Sequence, residues 1–168
     1  REGTVFRNAF VNISLCSPSR SSILTGVYPH KSGVINNSES SLLRPDVPVV
    51  ASLLRDAGYS TAYVGKVHIP NFWSRDRGFD FYASFGGQGS YFDNTFVVNG
   101  KQVATEGYIT DHINRFALEY LKGCDSSRPF AVFIGHKAVH NDFHPAPEHE
   151  NLFADRWFEL PKTWDDPR

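Results

Sequence analysis

The chain has 168 residues, 40% of them hydrophobic and 21% charged, and a formal net charge of −1. That length suits a single domain able to bury about 70% of its unfolded surface. The near-neutral balance argues against a polyanion binder, and no apolar run approaches the roughly 20 residues of a bilayer span, so neither nucleic acid nor a membrane is an expected partner.

The ends read as cut. Arg1-Glu2-Gly3 carries no initiator methionine, the chain contains none, and Trp164-Asp165-Asp166-Pro167-Arg168 resembles a linker. No charged-then-apolar leader opens the chain. The expectation is an internal piece of a longer protein, with residues 1–168 forming one partial domain.

In chain order, Phe6 to Leu15 reads as extended chain leading into a turn at Cys16. Pro18 suits the first position of a short helix that Gly26 closes. Asp46 is placed to start a second helix, with Val50, Leu53, Leu54 and Ala57 as its apolar stripe and Gly58 as its stop. Thr61 to Val64 reads as a buried strand ending at Gly65. Gly86 to Phe92 is glycine-rich without the strand-to-helix setting of a nucleotide loop; it is either a mobile loop or a wall of a substrate pocket.

Asn99-Gly100, between Phe96-Val97-Val98 and Lys101-Gln102-Val103, signals a tight hairpin. Thr110 can cap a helix whose Ile113, Phe116, Ala117, Tyr120 and Leu121 share one face, closed by Gly123. Phe130 to Ile134 is a continuous apolar run bounded by Pro129 and Gly135, as in a buried strand. The alternation predicts an α/β fold with helices covering a largely parallel sheet. Ligand sites in such sheets lie beyond the carboxyl ends of strands, where Lys66, His68, His136 and His140 fall.

Two cysteines allow one disulfide, but Cys124, just after Gly123, reads as a free, half-buried thiol. Asn12-Ile13-Ser14 and Asn36-Asn37-Ser38 match the glycosylation triplet, a pattern common by chance. On residue type alone Cys16 is a small buried hydrophobe or a thiol made reactive by a helix N-terminus. Its surroundings are more specific: Cys16-Ser17-Pro18-Ser19-Arg20 followed by Leu24-Thr25-Gly26.

That run resembles the signature of the formylglycine-dependent sulfatases, in which a maturation enzyme oxidises the cysteine to an aldehyde. Gly65-Lys66-Val67-His68 resembles the family's Gly-Lys-x-His element, and His136-Lys137-Ala138-Val139-His140 its His-x-x-Pro-His element, with Val139 in place of proline. The similarity runs in family order through nearly the whole chain. The hairpin and the segment His144-Pro145-Ala146-Pro147 bring it nearest to sulfatases acting on sugars, such as the N-acetylglucosamine-6-sulfatase and heparan N-sulfatase groups.

The resemblance implies an alkaline-phosphatase-like α/β fold with helices on both faces, here without its first strand and C-terminal half. It implies hydrolysis of sulfate monoesters, on a sugar, in a periplasmic, secreted or lysosomal parent protein. A hydrated aldehyde at position 16 would offer one hydroxyl to attack sulfur and a second to expel sulfate afterwards. Arg20, on the same helical face as Cys16, would hold the modified residue in place; otherwise it is a surface arginine. Lys66 would bind sulfate, His68 would contact the modified residue, and His140 would protonate the leaving oxygen.

His136 either supports the site from behind its contacting residues or is structural; the 14% aromatic content, Trp73, Tyr91 and Phe92 included, suits stacking on a sugar, although most aromatics are core. Calcium is the implied cofactor, with Cys16, as formylglycine, its one ligand within this chain. The family's aspartate and asparagine ligands have no counterpart here, and Asp111, Asp165 and Asp166 lie outside the metal motif. The implied partners are a sulfated small molecule or glycan and the maturation enzyme. Two other readings stand beside this one: a phosphonate or phosphate monoester hydrolase of the same fold, and a non-catalytic glycan-binding homologue.

Overall fold

A computed structural model describes residues 2–72 and 77–165. Trp73 and Asp166, both considered above, lie outside the described residues. The helices are α1 (Cys16–Thr25), α2 (Pro29–Ser32), α3 (Val50–Asp56) and α4 (Ile109–Gly123); the strands are β1 (Ser60–Gly65), β2 (Phe81–Ser84), β3 (Thr95–Val98), β4 (Lys101–Ala104) and β5 (Phe130–Gly135). A short 3-10 turn spans Pro147–His149. No described helix is long and apolar enough to cross a membrane.

The strands form one sheet in the order β4-β3-β2-β1-β5. β1 pairs in parallel with both β2 and β5, and the β3–β4 hairpin joins the free side of β2 antiparallel. The sheet is therefore mixed: a parallel centre of the expected kind, extended by the Asn99-Gly100 hairpin. Both turn residues take positive φ, 48° at Asn99 and 86° at Gly100, as a two-residue turn between twisted strands requires.

Successive residues of β1 point to opposite faces, and both faces are covered. Tyr63 joins a core with Leu24, Val49, Ala51, Phe72, Phe79 and Tyr82, under α1 and α3. Val64 joins the other, with Phe85, Phe96, Ile109, Ile113 and Phe116, beneath α4. Helices on both faces of a sheet are the expected α/β architecture.

Several boundaries differ from the sequence reading. Helix α1 starts at Cys16, two residues before the position expected from Pro18. Partners distant in sequence hold its first turn: the Ser17 N–H donates to Asn37 Oδ1 at 3.0 Å, and Ser17 Oγ donates to the His68 carbonyl at 2.5 Å. Pro18 is still tolerated, because the first-turn N–H groups have no partner within the helix.

Helix α3 begins at Val50 rather than Asp46. Pro48 disfavours helical geometry at Val47, and Asp46 instead receives the Arg44 guanidinium at 2.8 Å. Leu53, expected on its apolar stripe, is exposed, and Val49 and Ala51 are buried.

In α4, Thr110 lies inside the first turn, so Tyr108 occupies the N-cap without a side-chain bond. Residues 6–15 form no strand and are largely exposed. β5 was expected to be buried; it is an edge strand, with Phe130 54% and Ile134 47% exposed. An apolar run cannot by itself distinguish a central strand from an edge strand. Cys124 is a free, partly buried thiol, as anticipated.

Phe96 is fully buried, with its ring centroid 5.3 Å from that of Phe85 and 5.1 Å from that of Phe116. Phe96→Ala is expected to lower stability by about 3–5 kcal/mol. Lys101→Ala, exposed on β4, should change it by less than about 0.5 kcal/mol. Paired urea denaturation curves measure both, and equal effects would contradict this packing.

Candidate functional site

β1 and β5 end level with each other, Gly65 opposite Gly135, and the Lys66 N–H donates to the Gly135 carbonyl at 2.7 Å. A Cβ at either glycine would strike backbone, so the two strand ends approach as only glycines allow. The loops that leave this point carry Lys66 and His68 on one side and His136 to His140 on the other. This is the C-terminal edge of the parallel strands, where the sequence reading placed the site.

Helix α1 is fastened to the same point. Arg20 Nη1 donates to the Lys66 carbonyl at 2.6 Å, and the buried Tyr63 hydroxyl donates to the same oxygen at 2.6 Å. Cys16, one turn earlier on α1, is thereby held above the strand ends. It is partly exposed and faces a cleft of about 590 Å³ that Ser19, Arg20, Lys66, His136, Lys137 and His140 also line.

The structure therefore brings four of the five candidate residues, Cys16, Arg20, Lys66 and His140, onto one cleft. The fifth, His68, lines a smaller adjoining pocket with Asn37, Glu39, Phe85 and Gly87. Its backbone takes a φ of 52°, a region that non-glycine residues rarely adopt, and the Ser17 hydroxyl holds its carbonyl there. Its Nδ1 is buried without a hydrogen-bond partner among the described residues.

The cleft is cationic. Arg20, Lys66 and Lys137 line it and no aspartate or glutamate does. Among the described residues the one ion pair is Arg44–Asp46, so none of these three cations is neutralised by a carboxylate. Burial lowers the Lys66 pKa from the usual lysine value; the neighbouring charges of Arg20 and Lys137 lower it further, and Cys16 opposes them. Burial also holds the His68 pKa below the ordinary histidine value, with Lys66, Arg20 and His140 adding to the effect.

Three contributors escaped the sequence reading. Gln88, in the glycine-rich loop, accepts a hydrogen bond from the Lys66 ammonium. Asn37 anchors the first turn of α1 from 20 residues away. Lys137 is buried, with its ammonium 4.7 Å from the centre of the Tyr91 ring.

Tyr91 in turn donates its hydroxyl to the His140 carbonyl at 2.6 Å. The glycine-rich loop therefore packs against the residues that line the cleft. No sequence signal pairs Gln88 with Lys66; a lysine flanked by histidines just after a strand was the only available hint of Lys137. His136 is exposed at the cleft rim. The Ala138–Val139 peptide bond is cis.

No group of three or more His, Cys, Asp or Glu among the described residues is placed to hold a metal. Calcium takes six to eight oxygen ligands. The described residues do not form such a site, and the cleft lining is suited to an anion.

The sulfatase family model matches residues 1–158. The N-acetylglucosamine-6-O-sulfatase of Bacteroides thetaiotaomicron is 36% identical over 163 residues, which cover 95% of this chain and 28% of the relative. The human N-acetylglucosamine-6-sulfatase is 30% identical over 184 residues, covering 92% of this chain and 32% of the relative. A solved structure of a protein in complex with its substrate D-glucosamine-2-N,6-O-disulfate superposes with a TM-score of 0.86 at 34% identity, covering 96% of this chain and 32% of that one. The chain thus spans about a third of the length of the relatives it matches. With the ordered Cys16, Lys66 and His140 elements and a family match across nearly its whole length, the chain belongs to the sulfatase family.

Proposed function

We propose that the complete protein bearing this chain hydrolyses sulfate esters on sugars, with residue 16 as the nucleophile after oxidation of its cysteine to formylglycine. The observation that carries this reading is the convergence of Cys16, Arg20, Lys66 and His140 on one carboxylate-free cleft. Relatives named as glucosamine sulfatases, and the solved complex with a disulfated glucosamine, favour a sulfated amino sugar as the substrate class.

A hydrated formylglycine supplies a hydroxyl nucleophile and a second hydroxyl for its own regeneration. The site fits such a group: position 16 opens onto the cleft, and Lys66, its charged neighbour there, can stabilise oxygen that develops negative charge. Arg20 positions α1 through its bond to the Lys66 carbonyl. Lys66, steadied by Gln88, binds a sulfate oxygen.

His140, fixed through its carbonyl by Tyr91, gives a proton to the leaving sugar oxygen. His68 is assigned the proton from position 16: burial, with Lys66, Arg20 and His140, lowers its pKa and so favours the neutral form that can accept one. A calcium ion and a maturation enzyme belong to the same proposal for the complete protein. The described residues would offer that ion only the oxygen that replaces sulfur at Cys16.

Peptide mass spectrometry of the complete protein, produced with a maturation enzyme, should show conversion of CH₂SH to CHO at Cys16. Cys16→Ala should lower kcat/KM on a sulfated glucosamine by at least about 10³-fold. Retention of the thiol with full activity would refute the proposal. A parallel assay with aryl sulfate and aryl phosphonate esters should favour the sulfate; a much faster phosphonate reaction would move the protein to phosphorus chemistry.

In the unfolded chain His68 titrates near 6.5, and in the fold it titrates lower. The folded state therefore binds fewer protons in that interval, so this contribution to stability is full above 6.5 and fades as pH falls through the folded value. The melting temperature of the complete protein should drop as pH falls below the ordinary histidine range, and His68→Gln should flatten that drop. An unchanged slope in the variant would show that His68 is not the group responsible.

A further inference from the structure

Lys137 belongs to two pockets at once. It lines the Cys16 cleft, and it lines a neighbouring pocket of about 390 Å³ with Gly89, Ser90, Tyr91, Phe92, Asp142 and His144. The residue is only 6% exposed, and no carboxylate among the described residues lies within ion-pair distance of its ammonium. Burying a cation is costly unless something compensates it.

What the fold supplies is the face of the Tyr91 ring, 4.7 Å from Nζ to its centre, a partial compensation. Lys66 hydrogen-bonds Gln88, whereas the Lys137 ammonium makes no hydrogen bond among the described residues, so its donors remain available.

The backbone that carries this cation is held in place. The Lys137 carbonyl accepts the His140 N–H at 3.0 Å, closing a turn, and the Tyr91 hydroxyl is bonded to the carbonyl of His140. Tyr91 itself is buried and stacks on Tyr108 at 6.1 Å between ring centres. The other charged or titratable groups of the neighbouring pocket are the exposed Asp142 carboxylate and the His144 ring, which meets Tyr91 edge-on. An open-sided pocket that shares one unpaired cation with the reaction cleft suits a substrate lying across both.

We infer that Lys137 is a specificity residue that binds a second sulfo group on the sugar, distinct from the sulfate being cleaved, where the substrate reaches from the Cys16 cleft into the Tyr91 pocket. This rests on the reading of the complete protein as a sugar sulfatase. Lys66 serves the scissile group, and Lys137 discriminates doubly from singly sulfated sugars. The lysine acts through charge and hydrogen bonding and takes no part in bond making.

The test uses the complete, matured protein as wild type, Lys137→Met and Lys137→Arg, with glucosamine 6-O-sulfate and D-glucosamine-2-N,6-O-disulfate as paired substrates. Lys137→Met should raise KM for the disulfate about tenfold or more and leave both kcat values and the monosulfate KM within about twofold. Lys137→Arg, which keeps the charge, should retain the preference. An equal loss on both substrates, or a fall in kcat on the monosulfate, would place Lys137 at the scissile sulfate and overturn the inference; so would no change on either.

Calorimetric binding of both sugars to the same variants separates this outcome from failure of the sulfatase reading. If wild type cleaves neither sugar, the proposed activity fails. A Lys137-dependent binding preference for the disulfate would still support the inference, and equal binding by wild type and Lys137→Met would overturn it. Melting temperatures of the variants verify folding; loss of an unpaired buried cation should not lower them.

Discussion

The site depends on one carbonyl oxygen. The backbone C=O of Lys66 receives the guanidinium of Arg20 from α1 and the hydroxyl of Tyr63 from β1. One bond ties the helix that carries Cys16 to the sheet, and the other ties the loop after β1 back to its own strand. Buried polar groups are costly when unpaired, so this oxygen with its two donors acts as a single fastening for three elements. The Gly65–Gly135 contact allows it, because any side chain there would hold the strand ends apart.

The arrangement separates the work of the cations. Arg20 is spent on architecture, since at least one of its nitrogens is bonded to backbone. Lys66 is steadied by an amide and Lys137 by an aromatic face, and neither is neutralised. A cleft with mobile, hydrated lysines would have to reorganise for each anion. Here both lysines are buried and held, so the positive field of the cleft is set before any anion arrives.

Much of this was legible in the sequence because it is local. The Asn99-Gly100 turn, the stripe of α4 and the strand ending at Gly65 follow from spacing and residue type. The ordered motifs around Cys16, Lys66 and His140 fall together at the C-terminal edge of the parallel strands. What escaped depends on contacts between distant segments.

Asn37 and Ser17 start α1 early, across 20 residues, and no local propensity contains that information. Gln88 meets Lys66 across 22 residues. Lys137 lies within the His136–His140 motif, but its surroundings come from a tyrosine 46 positions earlier, which local sequence does not show. Similarly, Phe130 to Ile134 has the composition of an inner strand, and only the sheet order reveals it as an edge.

That edge has a practical consequence. The outer side of β5 presents backbone donors and acceptors without a neighbouring strand among the described residues, flanked by the uncovered Phe130 and Ile134 side chains. Sheets usually protect such margins with charge, proline or a covering element. Produced alone, this stretch of polypeptide would offer itself as a template for intermolecular strand addition, and recovery of monodisperse material would require that rim to be capped.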